Sequence, residues 1–259
     1  MNTSWRIFYR ASADVYRHSA EILRRCWFWF VLVFGLPYLL VPIRGLPNTG
    51  VDVDAEMHSD TMTALLAVAL IGFVAGAALA ICWHRLVLAD DRTLRETAVP
   101  ASGVIIRYAL MSLGIGLIAA LSSLPALAVL FLAGAGGGVE LVEISTYALI
   151  PLIILIVFYV LVRFGLKLPA IALGNDDLTL MASWRLTREL AWPILGVLLF
   201  IAVPYGFSVG LSSLSPADIP FALKLLLDLI LTALNIVLFL LNISLLTTLY
   251  GHLRLGWPF

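Results

Sequence analysis

Residues 62–83 read MTALLAVALIGFVAGAALAICW, an unbroken run without a charged side chain, and Arg85 follows directly after His84. A bilayer core about 30 Å thick is crossed by about 20 apolar residues in a helix, so this run predicts a transmembrane helix that ends at a cation. The whole chain is 62% hydrophobic and 12% charged over 259 residues, with a mean hydropathy of +1.03. Soluble domains carry about 25% charged residues. We therefore predict an integral membrane protein.

Five further apolar segments accompany residues 62–83. The six predicted spans lie at about 27–43, 62–83, 104–133, 145–163, 191–212 and 223–250. The connections between them are too short for another domain, so we predict a single all-α, polytopic membrane domain over residues 1–259. Residues 1–26 contain Asp14 and Glu21 and precede no small-residue cleavage site. This favours a retained cytoplasmic amphipathic arm over a signal peptide.

Basic residues fall almost entirely on one side of the predicted spans. Of the 16 lysines and arginines, only Arg44 and Lys224 belong to the connections on the other side. The remainder are Arg6, Arg10, Arg17, Arg24, Arg25, Arg85, Arg92, Arg95, Arg107, Arg163, Lys167, Arg185, Arg188 and Arg254. By the positive-inside rule, both termini are predicted to be cytoplasmic. The tryptophans mark the same side: Trp5, Trp27, Trp29, Trp83, Trp184, Trp192 and Trp257.

A local repeat indicates how the spans are organised. Residues 89–94, ADDRTL, match residues 175–180, NDDLTL, at four of six positions. Prolines near the outer ends of alternate spans, Pro37, Pro125 and Pro204, have a similar spacing. These features predict three similar helix hairpins. Each aspartate pair is expected to cap a following interfacial amphipathic helix on the cytoplasmic side, for which a surface for a protein partner is the alternative.

Small residues recur every four positions in three of the spans. The sets are Gly72, Gly76 and Ala80; Ser112, Gly116 and Ala120; and Ala202, Gly206 and Gly210. This spacing places each set on one helix face, where two backbones can approach closely. We expect helix packing within the bundle at Gly72, Gly76, Gly116, Gly206 and Gly210, with homo-oligomerisation through one such face as the alternative.

Asp228, Asn235 and Asn242 follow one another at intervals of seven in the sixth predicted span. Seven residues make nearly two turns, so the three side chains share one face. Polar groups are costly in hydrocarbon, so we expect this stripe to face protein or water. Hydrogen bonds between helices are the favoured interpretation, and a path for a small solute is the alternative.

Arg163 and Lys167 lie four residues apart at the inner end of the fourth predicted span. With Arg185 and Arg188 they form a candidate set of lipid headgroup contacts. Snorkelling of the long side chains to the interface is the commoner explanation for the first two.

Catalytic and metal-binding patterns are missing from the sequence. There is no HExxH or CxxC motif, and the histidines His18, His58, His84 and His252 have no ligand spacing. Cys26 and Cys82 fall at the cytoplasmic ends of apolar runs, where we expect reduced, buried thiols. The sequence therefore predicts no metal, no cofactor, no enzymatic activity and no nucleic-acid partner.

Four strings along the chain together carry a resemblance to a known group of proteins. They are WHRLVL at 83–88, LPAIAL at 168–173 after Arg163, SWRLTR at 183–188 and LYGHL at 249–253. In this order they resemble uncharacterised six-span bacterial inner-membrane proteins, a group distantly similar to the membrane domain of some glycerophosphoryl diester phosphodiesterases. The resemblance implies the fold and a bacterial inner-membrane location. It implies no hydrolase activity and assigns no site residues.

The leading functional hypothesis is a non-enzymatic membrane module. Its partners would be membrane lipids or a protein that binds the basic, tryptophan-rich cytoplasmic face. The alternative is a small-solute transporter that uses the stripe of Asp228, Asn235 and Asn242. An intramembrane enzyme ranks third, because no acid, base or nucleophile is paired.

Overall fold

The computed structural model describes residues 2–36, 55–89, 99–136, 139–213 and 221–258, with residues 92 and 97. Within these ranges the side chains of residues 55–61, 130, 133–136, 139–148, 150, 208–213 and 221–222 are not described. Pro37, Arg44, Arg95 and the end of the predicted span 27–43 lie outside the described residues, as does the side chain of Gly210.

Every long element in the described part of the chain is a helix, as predicted for an all-α protein. The helices are α1 (Thr3–Phe30), α2 (Ala55–Leu88), α3 (Ser102–Gly136), α4 (Val139–Gly165), α5 (Lys167–Ala172), α6 (Leu180–Leu186), α7 (Ala191–Ser213) and α8 (Phe221–Leu255). A π-helical turn, Val31–Gly35, continues from α1.

Four stretches of helix are long and apolar enough to cross a membrane. They are Met62–Leu88, Ser102–Val129, Pro151–Ala172 and Leu223–Leu255. The short helix α6 and residues Ala191–Phe207 of α7 meet at 92°, and together they would make a fifth. The described residues thus contain four candidate spans, or five with the bent pair. The predicted span 27–43 is described only as far as Leu36.

Helix α1 runs across three of the apolar helices. Its apolar stripe, which includes Ile7, Ala11 and Ile22, is buried, while the opposite side of the helix exposes arginines and aromatic residues. This is the pattern of a helix that covers a core with one face. From its first turn onward, α1 contacts these helices in turn. Phe8 packs on Phe200 of α7, Ala11 is hydrogen-bonded to Ser244 of α8, and His18 packs on Trp83 of α2.

The chain bends near the end of α1. Cys26 leaves the helical backbone conformation, with φ −116° and ψ 21°. Beyond this bend, Phe30 stacks on Phe34 with ring centres 6.2 Å apart, and Phe34 meets the edge of Phe239 in α8. The bend therefore falls where the predicted arm gives way to the first predicted span, and the chain beyond it packs beside α8.

The cap of α6 differs from the prediction. The Thr179 hydroxyl accepts a hydrogen bond from the Ala182 backbone N–H at 3.1 Å. The aspartates at 176 and 177 were expected in this role, but α6 begins at Leu180, so the capping position is residue 179. Asp176 instead forms an ion pair with Arg107 of α3. This pair joins α3 to the connection between α5 and α6.

Candidate functional site

Three buried cations hold the connection after α4 against the bundle. Arg85 of α2, Arg163 of α4 and Lys167 of α5 are each less than a tenth exposed. Each donates a hydrogen bond to a backbone carbonyl: Arg85 Nε to Ala172 at 2.8 Å, Lys167 Nζ to Asp176 at 3.1 Å, and Arg163 Nη2 to Trp184 at 2.6 Å. The three acceptor carbonyls lie along the segment that runs from the end of α5 into α6. We call the end of the bundle where these cations lie the basic end.

Arg163 is surrounded by neutral partners. Its Nε donates to the Thr187 hydroxyl at 3.0 Å, and its Nη1 donates to the Tyr159 hydroxyl at 3.1 Å. The guanidinium lies 3.7 Å from the centre of the Trp184 ring, a cation–π contact. Within the described part of the chain, Arg163 has no carboxylate at ion-pair distance. Among the described residues, its positive charge is therefore stabilised by neutral hydrogen-bond acceptors and an aromatic ring.

A second polar cluster joins three helices at the same end. His84 of α2 lies between Thr247 of α8, with 2.9 Å from Nδ1 to Oγ1, and Tyr108 of α3, with 3.1 Å from Nε2 to the phenol oxygen. The Thr247 hydroxyl already donates to the Ile243 carbonyl at 2.8 Å. Nδ1 is therefore the donor to Thr247, and Nε2 accepts from Tyr108. All three residues are buried, so the cluster fixes the helix register.

The arm contributes a buried carboxyl group, Asp14. Arg10 Nε lies 3.7 Å from its Oδ1, and the Arg10 guanidinium also lies 5.7 Å from the centre of the Trp257 ring. Burial raises the pKa of Asp14 above its ordinary value, and the nearby charges of Arg10, His18 and Arg17 act in the opposite direction. Asp14 thus links the arm to the tail of the chain through Arg10.

The tail folds back on the end of α8. Gly256 has a φ of +71°, a left-handed conformation that turns the chain. The Trp257 ring then lies so close to Gly251 that a β-carbon there would be 2.6 Å from it. His252 Nδ1 lies 2.7 Å from the Trp257 carbonyl oxygen, which places a ring N–H donor at this nitrogen. Gly251 and His252 belong to the LYGHL string at 249–253, so this string contains the residues that contact Trp257 where the tail folds back.

The four cations predicted to contact lipid headgroups divide into two pairs. Arg163 and Lys167 are buried and bonded to protein, as described above. Arg185, in α6, and Arg188, two residues after its end, are exposed. The sequence could not separate these pairs, because charge and spacing do not show which side chains find carbonyl and aromatic partners.

The two asparagines of the polar stripe of α8 donate hydrogen bonds within their own helix. Asn235 and Asn242 each donate to the carbonyl four residues earlier in α8, Leu231 and Leu238, both at 2.8 Å. Asn235 is exposed, whereas Asp228 and Asn242 are half-buried. The intervals of seven placed the residues on one face, but their amides bond to their own helix and not to a neighbouring one.

The predicted small-residue faces also differ from the expected close contacts. A β-carbon added at Gly72, Gly116 or Gly206 would meet no atom within 4 Å, and one at Gly76 would only touch Phe239. Close approaches occur at other glycines: Gly165 against Leu246, Gly196 against Ser4 and Gly251 against Trp257. Regular spacing identifies residues on a common face, but it does not show whether another helix meets that face.

An apolar groove runs between α4 and α7. It consists of two adjoining cavities of about 460 and 430 Å³ that share Leu152 and Leu155. The first cavity reaches Tyr159 and Trp192, near the basic end. The second reaches Ala202 and Gly206, so the third small-residue face borders this groove. The polar stripe of α8 lines neither cavity.

Sequence reasoning did not identify this groove or the partners of Arg163. One signal was present, since Tyr159, Arg163 and Lys167 recur every four residues and so share one helix face. No family model, curated protein or solved structure matches this chain. The resemblance to six-span bacterial inner-membrane proteins therefore stays a prediction.

Proposed function

We propose that this protein is a six-span protein of the bacterial inner membrane, with both termini and the basic end in the cytoplasm. Its role is that of a non-enzymatic module that binds anionic lipids of the inner leaflet through its basic face. The positive-inside pattern supports the orientation, and the candidate spans of α2, α3, α4 and α8 support the membrane location.

The observation that carries this proposal is the exposed face of α1. Arg6, Arg17 and Arg24 lie on it beside exposed aromatic side chains. The aromatic residues are Trp5, Tyr9, Tyr16 and Trp27, and Tyr16 is 88% exposed. Arginines interleaved with aromatic residues are typical of a helix that lies in the headgroup layer, where cations meet phosphates and rings reach the acyl boundary.

The arm is also fixed to the bundle, so this face has a defined position. The buried stripe of α1 packs on α2, α7 and α8, and the Ser244 hydroxyl donates to the Ala11 carbonyl at 2.9 Å. Because α1 is already docked, its cations are in position before a lipid binds, and binding does not require the loss of conformational entropy that would order a free arm. This arrangement supports lipid binding by a rigid surface.

Native mass spectrometry in nanodiscs of mixed phosphatidylglycerol and phosphatidylethanolamine tests the proposal. We expect the wild-type protein to retain phosphatidylglycerol, and Arg17→Gln with Arg24→Gln to reduce its retention about 30-fold, at about 1 kcal/mol per cation near the surface. The matched control replaces Arg44 and Lys224, the cations predicted on the other side. Equal losses in both double variants would contradict a cytoplasmic lipid-binding face, and retention of a protein would indicate a partner in its place.

A transport role remains the alternative interpretation of the sequence. The described stripe of Asp228, Asn235 and Asn242 borders neither of the two cavities between α4 and α7, and both cavities are lined by apolar and aromatic side chains. No described observation therefore favours transport over lipid binding.

A further inference from the structure

We propose that the groove between α4 and α7 is a binding site for one acyl chain of an anionic phospholipid, whose phosphate lies at the basic end. This inference rests on the proposed membrane location and names a specific lipid site within it. The shape of the groove, its length and the charge at one end support it.

The groove has a buried floor and an open rim. Leu198 and Ile201 of α7 form the floor, where each is less than a twentieth exposed. The rim consists of exposed side chains from both helices: Leu152, Ile154, Leu199 and Tyr205. A groove with an exposed apolar rim between two apolar helices opens sideways, toward the hydrocarbon that surrounds a membrane protein.

The small residues of α7 create part of this space. Ala202 and Gly206 line the groove, and nothing lies within 4 Å of a β-carbon added at Gly206. Larger residues at these two positions would fill the space. The spacing that suggested a helix contact therefore forms a recess.

The length of the groove suits a chain that enters from one leaflet. Its lining extends along α7 from Ala191 to Gly206, which is about 22 Å at 1.5 Å per residue. This exceeds the half-thickness of a hydrocarbon core, about 15 Å. An extended acyl chain anchored at the basic end would therefore lie along the groove within its own leaflet and reach the bilayer centre.

The volume of the groove suits an acyl chain. The two cavities measure about 460 and 430 Å³ and share Leu152 and Leu155. A flexible, narrow chain fits such a space.

Charge and aromatic residues mark the end where the headgroup would lie. Tyr159 lines the groove, and its hydroxyl accepts a hydrogen bond from Arg163. Trp192 lines the same end and is 81% exposed, as expected for an indole in the headgroup layer. Arg188 is exposed, and its carbonyl accepts from the Ala191 backbone N–H at 3.3 Å, one turn from this end.

Arg163 and Lys167 have no carboxylate at ion-pair distance in the part of the chain that the structure describes. Arg163 is held by hydroxyls, a carbonyl and the Trp184 ring, and Lys167 donates to a carbonyl. The unneutralised charge, with exposed Arg188, complements a phosphate. The occupant is therefore an anionic phospholipid, with its chain between α4 and α7 and its phosphate near Arg188.

Photo-crosslinking of the wild-type protein tests the site without altering it. The probe is phosphatidylglycerol with a diazirine on one acyl chain, added to the protein in phosphatidylethanolamine nanodiscs. We expect adducts on residues 151–159 and 191–206, and we expect excess unlabelled phosphatidylglycerol to suppress them. Adducts spread evenly over the exposed faces of α2 and α3 would overturn the proposal.

A pair of glycine variants then tests occupancy. Gly206→Leu fills the groove, whereas Gly72→Leu adds the same side chain at an equally open position of α2 outside the groove. We expect the first variant to lose one retained phosphatidylglycerol in native mass spectrometry and the second to keep it. Equal retention by both variants overturns the groove site. Dissociation of a dimer by Gly206→Leu alone would also overturn it, in favour of a second copy.

Arg188→Gln tests the headgroup end. We expect the groove adducts to persist while the preference for phosphatidylglycerol over phosphatidylethanolamine falls about fivefold. An unchanged preference would overturn the assignment of the phosphate to this end. The outcomes also separate the two proposals. A wild-type protein that retains no lipid contradicts both. If the Arg17 and Arg24 variant loses lipid while the groove variants keep it, only the groove proposal is contradicted.

Discussion

Ser4 lies directly against Gly196, so that a β-carbon at residue 196 would be 2.5 Å from the Ser4 Oγ. This contact joins the first turn of α1 to the first two turns of α7. Real β-carbons do not approach other atoms this closely, and rotation of the Ser4 hydroxyl would not relieve the clash, because the Ser4 β-carbon would lie only 3.0 Å away. The position of the arm therefore depends on the absence of a side chain at residue 196.

Replacement of this glycine should loosen the arm. We expect Gly196→Ala to destabilise the protein by about 1–3 kcal/mol through overpacking, and Ser4→Gly in the same chain to restore part of the loss. Unfolding of the purified protein in detergent, followed by tryptophan fluorescence, measures the effect. Gly206→Ala is the matched control because its surroundings are open. Equal losses at both glycines would contradict the contact.

Arg163 should not be replaceable by lysine. An ammonium group cannot reproduce the three donors in a plane or the contact with the Trp184 ring. We expect Arg163→Lys to cost about 2–4 kcal/mol, since hydrogen bonds from a charged group contribute about 1.5–3 kcal/mol. Arg185→Lys, at an exposed position, should change stability by less than about 0.5 kcal/mol. Chemical unfolding of both variants gives the comparison, and similar stability would rule out the proposed role of the guanidinium.

The hydrogen bond from Tyr108 to His84 should also contribute to stability. Tyr108→Phe leaves the buried Nε2 of His84 without its donor, for which we expect a loss of about 1–3 kcal/mol. Tyr16→Phe removes a hydroxyl from a side chain that is 88% exposed, so it serves as the control. If thermal unfolding shows no difference between the two variants, Nε2 does not accept this hydrogen bond.

Asp14 should make stability depend on pH. Its pKa in the folded protein is raised above the ordinary 3.8 by burial, so between these two values the folded state binds more protons than the unfolded state. Stability should therefore fall as the pH rises through this interval, and the penalty is fully present above the raised pKa. Asp14→Asn should flatten this dependence. Unfolding from pH 3 to pH 7 measures it, and the same slope in both proteins would exclude Asp14 as its source.

The apolar runs predicted the helices well because hydrophobic length is a local property of the chain. The run at 62–83 lies inside α2, but the helix continues to Leu88. It can do so because His84 bonds to Thr247 and Tyr108, and Arg85 bonds to the Ala172 carbonyl. Those partners lie far away in sequence, so no local pattern could have shown that polar residues extend this helix.

The site residues were harder to predict than the helices. Periodicity placed Asn235 and Asn242 on one face, yet both amides bond to their own helix. The same reasoning placed Gly206 at a helix contact, although it borders a groove. In each case the pattern gives the direction of a side chain around one helix axis. What lies in that direction depends on how the helices are arranged in space.

The path of α1 across the bundle has a consequence for biosynthesis. Ala11 receives its hydrogen bond from Ser244, 233 residues later in the chain. At about 5–20 residues per second, the ribosome completes the arm roughly 10–50 s before this partner exists. Helices α2 and α7 are completed earlier and cover other parts of α1, but the part of its apolar stripe that packs on α8 has no protein partner until α8 is made. Helix α8 therefore completes the packing of α1, and a chain truncated before Ser244 would leave that part of the arm without its protein partner.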